Sequence, residues 1–289
     1  MSLIIEKCNY CGCDDLKSVL KVTDHSVSKE EFDLLECFCC GLIQTSPQPC
    51  LGEIGTYYVS DQYVSHTDTK KGLINTIYHF ARRWTLKKKF ELIQNYHPEG
   101  TLLDVGCGTG YFASFMKSKG YQISVMEPDT DAAKKAEEKL HIEPYSNLEQ
   151  VKSSYKIITM WHVLEHVHDL NATFKKLESL LDINGVLIIA VPNPESPDAI
   201  HYKNYWAAYD VPRHLYHYKK NVIRQMANKY NMQVTDILQM KLDSYYISML
   251  SEKYKKGSIL KAAFNGLLSN LKSGKDNSSS LIYIIQRNK

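Results

Sequence analysis

The most constraining stretch of the 289-residue chain is residues 101–110, TLLDVGCGTG. An apolar run passes through Asp104 and is followed by Gly106, Gly108 and Gly110, with a helix beginning near Tyr111. Glycines at such a junction let the backbone turn sharply and approach a ligand closely. The spacing is Gly-x-Gly-x-Gly, which differs from the Gly-x-Gly-x-x-Gly of dinucleotide-binding loops. A second apolar run, 122–128, ends in Glu127, 17 residues past Gly110. One helix and one turn fit that gap, so the acid stands at the tip of a second strand, where it can accept both hydroxyl protons of a ribose. Further strand-like runs at 141–145, 155–161, 185–191, 233–240 and 281–286 alternate with helical segments at 130–139, 168–181 and 220–230. That alternation predicts an α/β fold with a doubly wound sheet.

LLDVGCGTG followed by VMEPD resembles motifs I and II of class I S-adenosylmethionine (SAM)-dependent methyltransferases. WHVLEHV at 161–167 is similar to the equivalent stretch of the quinone-, polyketide- and sugar-modifying members. The resemblance implies a Rossmann-like sheet of seven strands, the last antiparallel, with 281–286 as that last strand. It implies that Gly106, Cys107, Gly108 and Gly110 pack beneath the methionine part of SAM, with Tyr111 opening the next helix. Asp104 would orient the loop or the methionine amine, and Glu127, followed by Pro128, would hold the ribose. Trp161 and His162 would complete the cofactor surface. The chain has no Asn-Pro-Pro-Tyr or Asp-Pro-Pro-Tyr after the fourth strand, which argues against methylation of an adenine or glutamine nitrogen.

Seven of the eight cysteines precede residue 51. Cys8-x-x-Cys11 and Cys37-x-x-Cys40 are each followed by a glycine, Gly12 and Gly41. Two such knuckles supply four thiolates, the tetrahedral set that suits a structural Zn²⁺. A closed four-thiolate site has no open position, so such a metal holds structure and does no chemistry. Cys13, Cys39 and Cys50 are spare and stand as alternative ligands. CFCCGLIQTSPQP, with YYVSDQYVSH at 57–66, resembles the zinc module and tyrosine-containing connector of nucleotide-sugar C-methyltransferases. The expected division is a zinc ribbon over 1–50, a helical connector over 51–100 and a SAM-binding domain over 101–289. Tyr57, Tyr58, Tyr63 and His66 are placed at the mouth of a substrate site. Residues 72–95 read as an amphipathic helix whose Arg82, Arg83, Lys87, Lys88 and Lys89 form a solvated face. Residues 242–279 read as a Lys-rich helical insertion.

The connection 192–219 is far longer than the roughly 2–6 residues usual for such loops. Its Tyr205, Trp206, Tyr209 and Arg213 suit a lid over a small substrate, with Arg213 able to hold a phosphate or carboxylate through two hydrogen bonds. His166, His214 and His162 are the candidate catalytic bases, since a hydroxyl or carbon nucleophile must lose a proton. Taken together, these features predict methyl transfer from SAM to oxygen or carbon of a small-molecule acceptor, a sugar or other secondary metabolite. Two alternatives are an RNA methyltransferase using the ribbon to grip nucleic acid, and a non-catalytic SAM-binding scaffold. Lys+Arg 35 against Asp+Glu 32 leaves only +3, a weak excess for a polyanion surface. No run approaches the ~20 apolar residues of a membrane span, and MSLIIEKC is no signal peptide, so the expected compartment is a reducing cytoplasm.

Overall fold

A computed structural model describes residues 2–58 and 73–288, the side chains of 73–81 excepted. Tyr63 and His66 therefore lie outside the described residues. The described residues form two sheets. The smaller begins as a hairpin of β1 (Leu16–Thr23) and β2 (Glu31–Cys37), followed by β3 (Ile43–Ser46). Alternation in β2 turns Phe32 and Leu34 inward, where both are buried. The β1–β2 turn closes on Asp24, whose carboxylate accepts from the backbone N–H groups of Ser26 (3.0 Å), Val27 (3.1 Å) and Ser28 (2.7 Å).

The larger sheet holds β4 (Thr101–Val105), β5 (Gln122–Met126), β6 (Tyr155–Trp161), β7 (Leu181–Pro192), β9 (Met232–Gln239) and β10 (Ser280–Arg287). Their spatial order is β5-β4-β6-β7-β10-β9. β4 runs parallel to β5 and β6, and β6 parallel to β7, while β10 is antiparallel to both its neighbours. The expected antiparallel last strand is thus present. The run expected at 141–145 meets β5 through a single parallel bridge, Met126↔Tyr145. Pro144 explains its brevity, because proline has no N–H to extend a ladder.

Helices α1 (Leu73–Gln94), α2 (Tyr111–Ser118), α3 (Thr130–Leu140), α4 (Leu170–Leu180), α5 (Pro197–Tyr202) and α6 (Lys220–Lys229) cover the sheet. α3 and α4 start on aspartate caps: Asp129 accepts from Ala132 N and Asp169 from Ala172 N. Period-2 alternation sends Leu103, Val105, Ile158, Leu187 and Ile189 to one core, with Phe174, Leu177, Ile223 and Met226 of α4 and α6. Their sequence neighbours Leu102, Ile157, Ile188 and Ala190 enter the core on the opposite face, with Ile93, Phe112 and Met116 of α1 and α2. Strands buried on both faces explain the near-continuous apolar runs. Among the described residues no helix is long and apolar enough to cross a membrane.

Residues 242–279 form a helical hairpin, α7 (Asp243–Tyr254) and α8 (Ile259–Lys272). The expected lid lies under it as a packed wall. Ala207 N donates to Ser251 Oγ (2.9 Å), and Asp198 of α5 receives Trp206 Nε1 (2.8 Å) and Ser269 Oγ (2.6 Å). Trp206 and Tyr209 are buried, their side-chain surface largely covered by other described residues. The segment continues into β8 (Tyr216–His217), which pairs antiparallel with β3 and completes the small sheet in the order β1-β2-β3-β8.

Arg213 locks this junction. Its side chain is 1% exposed and donates to Asp210 Oδ2 (3.0 Å), Asp210 Oδ1 (2.7 Å), Asp24 Oδ1 (3.1 Å), Tyr57 O (2.8 Å) and Ser26 Oγ. The Arg213 guanidinium, expected from the sequence to hold a substrate anion, is engaged here with carboxylates of its own chain. Burial favours a protonated Asp24, but the guanidinium and the turn N–H groups hold its carboxyl well below the usual range. Replacing one partner of a buried ion pair leaves uncompensated charge and costs about 3–5 kcal/mol. Arg213→Met should therefore lower unfolding stability by about that amount in urea denaturation; a loss of less than about 1 kcal/mol would show that the pair does not hold the junction.

Candidate active site at the strand tips

The glycine loop lies where the central strands end. Gly106 and Cys107 donate to Met126 O at 2.8 and 3.0 Å, which folds the loop back against β5. Gly106 has φ +69°, and a Cβ there would stand 2.5 Å from Val163 Cγ2. Gly110, at φ +74°, packs against Ala136 of α3, which a Cβ would approach to 3.2 Å. Only glycine satisfies both the positive φ and the close approach. Gly108 N donates to Glu127 Oε2 (2.7 Å), and Asp129 N to Glu127 Oε1 (3.0 Å). Glu127 thus braces the loop with one lone pair of each oxygen. Burial raises its pKa, and those two N–H groups oppose the rise. Cys107 is half-buried, its thiol pushed up to about 12 by burial. Tyr111 opens α2 at 38% exposure, with Lys139 Nζ 3.2 Å from its ring centroid.

Asp104 is 2% exposed and accepts from Thr159 Oγ1 (2.7 Å). Burial pushes its carboxyl up to about 7, against the pull of Thr159 and Lys89. Lys89 is a site residue that reading the charge run as a solvated face missed. Its Nζ stands 3.9 Å from the Trp161 ring centroid, and burial lowers it to about 8 against the attraction of Asp104 and Asp243. The signal was available: Lys89 shares a helical face with Leu86 and Ile93.

His162 turns out of β6 at φ +58°. Its Nδ1 is 3.2 Å from Glu165 Oε1 and its Nε2 3.2 Å from Asp243 Oδ2. Burial would lower its pKa, but the Asp243 and Glu165 carboxylates prevail and carry it up to about 10. The two carboxylates therefore favour its charged form. Asp243 was invisible in the sequence, because nothing local connects α7 to residue 162.

His166 and His214 come together, their ring centroids 4.7 Å apart. His166 Nδ1 lies 2.9 Å from Arg213 O and 3.1 Å from Tyr58 Oη. His214 Nδ1 lies 2.9 Å from Ala208 O, and burial drives this imidazole down to about 4. Glu165 is fully buried; burial would raise it, but His162 holds it at about 2. Leu215 N donates to Glu165 O (2.8 Å), which ties the lid segment to this turn. Tyr205 stacks on His25 (5.3 Å) and Tyr209 packs edge-on to Trp206 (4.9 Å) and His217 (5.2 Å), so these three aromatics belong to the junction with the small sheet.

In the N-terminal region the sulfurs of Cys8, Cys11, Cys37 and Cys40 all lie within 4.8 Å of one another. Cys8–Cys40 and Cys11–Cys37 are each 3.6 Å apart, close to the roughly 3.8 Å edge of a tetrahedron with metal–sulfur bonds near 2.3 Å. Gly12 N and Gly41 N donate to Cys8 O (2.8 Å) and Cys37 O (2.7 Å), closing each knuckle at a positive-φ glycine. The four residues fit a metal ion. Cys13 and Cys39 are joined by a disulfide whose sulfurs lie within 4.8 Å of Cys37 Sγ, at the edge of this set.

Residues 78–237 match the sequence profile of a methyltransferase domain. Among curated proteins none matches this chain in sequence. Among solved structures, the magnesium protoporphyrin IX methyltransferase of Synechocystis, with bound SAH, aligns at TM-score 0.51 and 16% identity, covering 80% of this chain and 96% of that one. The cyclopropane synthase MmaA2 of Mycobacterium tuberculosis aligns at TM-score 0.50 and 13% identity, over 68% of this chain and 82% of that one. A mycolic acid cyclopropane synthase complexed with SAH and CTAB gives TM-score 0.50 and 16% identity, over 69% and 83%. At these identities the superpositions show a likeness of fold alone.

The His162 clamp gives a signed pH prediction. A group raised from about 6.5 to about 10 stabilises fully below the lower value and loses its contribution as pH climbs through the upper one. The melting-temperature advantage of wild type over His162→Gln should be largest near pH 6 and shrink steadily toward pH 10. An advantage that is constant across this range would refute the charged clamp.

Proposed function

Because the chain belongs to the methyltransferase-domain family, we propose that it moves a methyl group from SAM to oxygen or carbon of a small-molecule acceptor, a sugar or other secondary metabolite being the favoured class. The observation that carries this reading is the braced loop Gly106–Gly110, held between Glu127 and Val163 at the ends of β4 and β5. When bound, SAM supplies a sulfonium-activated methyl group. Glu127 keeps free lone pairs for ribose hydroxyls beside its two backbone contacts, and the loop offers a close-approach surface for the methionine part. Asp104, Lys89 and Trp161 line the same end, an acid for an amine and a base for a carboxylate. A sulfonium loses charge as the methyl leaves, so alignment of nucleophile, methyl and sulfur supplies much of the rate.

Proton removal from the acceptor falls to His166 or His214. His214 is kept neutral by burial, and its Nδ1 donates to a backbone carbonyl, leaving Nε2 as the basic nitrogen. The charged His162 positions Glu165 and Asp243. In the small sheet the cysteine tetrad would hold zinc structurally; the knuckle geometry supports this, and Cys37→Ser should release the metal.

Asp104→Asn and Glu127→Ala should each weaken SAM at least tenfold in calorimetry; unchanged affinity in both would overturn the cofactor assignment. In turnover assays His214→Ala should lower kcat by about 10²–10⁴ while SAM affinity holds. Full turnover in both His214→Ala and His166→Ala would remove the imidazole base.

A further inference from the structure

Glu165, His166 and His214 converge from two separate segments, and each offers a ligand atom within 4.8 Å of the other two. Among the described residues no hydrogen bond joins the three. The tautomers follow from the partners. A carbonyl only accepts, so His166 Nδ1 carries the proton it presents to Arg213 O (2.9 Å), and His214 Nδ1 the one it presents to Ala208 O (2.9 Å). In both rings Nε2 is left as the lone-pair nitrogen. An imidazole whose far N–H is anchored on a backbone carbonyl is the arrangement that orients histidine toward a metal. The carboxylate gives the independent observation. Glu165 is fully buried, its Oε1 is used by His162, and its Oε2 has no partner among the described residues. A buried carboxylate oxygen left bare is costly unless a cation takes it. The backbone bond from Leu215 N to Glu165 O (2.8 Å) holds the two segments at this separation. Asp210 Oδ2, 3.9 Å from His214 Nε2, adds negative charge nearby, although Arg213 occupies that carboxylate.

From this geometry we infer a second metal site, in which Glu165 and the Nε2 atoms of His166 and His214 bind one divalent transition-metal ion separate from the cysteine tetrad. Two imidazoles and a carboxylate suit Zn²⁺, Co²⁺, Ni²⁺ or Fe²⁺ better than Ca²⁺ or Mg²⁺. Three protein ligands leave an open position, unlike the closed thiolate set. With a metal bound, the two imidazoles serve as its ligands and no longer as the base, and the open position would take a hydroxyl oxygen of the acceptor and lower its pKa, the proton leaving to water. The resulting oxygen anion would take the methyl as the carbon–sulfur bond breaks, its electron pair passing to sulfur. This catalytic use rests on the methyltransferase reading; the occupancy of the site does not.

Cobalt(II) is the probe. Full-length protein dialysed against excess Co²⁺ should hold two metal ions per chain by elemental analysis. One should show the intense sulfur-to-metal absorption of thiolates and the other only the weaker visible bands of nitrogen and oxygen ligands. His214→Ala and Glu165→Gln should each fall to one ion per chain and keep the thiolate absorption. Near-ultraviolet circular dichroism checks that each variant is folded, and His166→Ala, on a half-exposed turn, carries the same expectation if a buried variant is not. A single ion in wild type, or two in the folded variants, would overturn the site. SAM calorimetry on the same samples separates the two readings: absent SAM binding counts against the methyltransferase assignment and leaves the metal count to decide the site.

Discussion

The buried pairing of Arg213 with Asp24 and Asp210 is the contact on which the arrangement of the whole molecule turns. Asp24 closes the first hairpin of the small sheet, and Asp210 lies in the long connection after β7. A guanidinium buried between two carboxylates is stable only with its fork closely matched, so it admits one relative placement of the two parts. With residues 207–217 fixed, Arg213 O and Ala208 O are presented to the two imidazoles, and Leu215 reaches the Glu165 backbone. A structural ion pair thereby sets the geometry of the side chains proposed to act on the acceptor.

At the strand tips charges alternate in sign. Asp104 and Asp243 both act on Lys89, Asp243 meets His162, and His162 meets Glu165. Asp104 and Glu165 are buried at the two ends of this row, where the opposite charges beside them count for more than they would in water. The row joins the floor of the proposed cofactor site, through Asp104, to the proposed acceptor side, through Glu165. Its middle member comes from the helical hairpin, which is why an insertion far along the chain belongs to the site.

What could be read from the sequence was what local spacing encodes. The bend at Gly106–Gly110, the acid at Glu127, the helix caps and the two-faced strands each follow from residues close to one another. The knuckles of the cysteine tetrad are equally local, and their pairing follows from there being two of them. The long connection 192–219 is ambiguous in sequence because aromatic and polar residues there look alike whether they cover a ligand or another part of the same protein. Trp206 and Tyr209 were apolar enough to be core, and Arg213 had partners nearly two hundred residues away in Asp24 and Ser26. Lys89 was hidden among Lys87 and Lys88, which carry the exposed charge of the same turn. The clamp on His162 could not be read at all, since an ion pair with Asp243 leaves no trace in either local sequence.

The outermost strand of the small sheet, Tyr216–His217, arrives from the far side of the chain to pair with Ile43–Gln44. During vectorial synthesis the N-terminal hairpin must wait, its last edge uncovered, until most of the polypeptide has left the ribosome. An uncovered edge is an invitation to foreign strands. The four clustered thiols at the opposite end of that hairpin would keep it compact through the delay, so early metal capture would protect the nascent chain as well as the finished one.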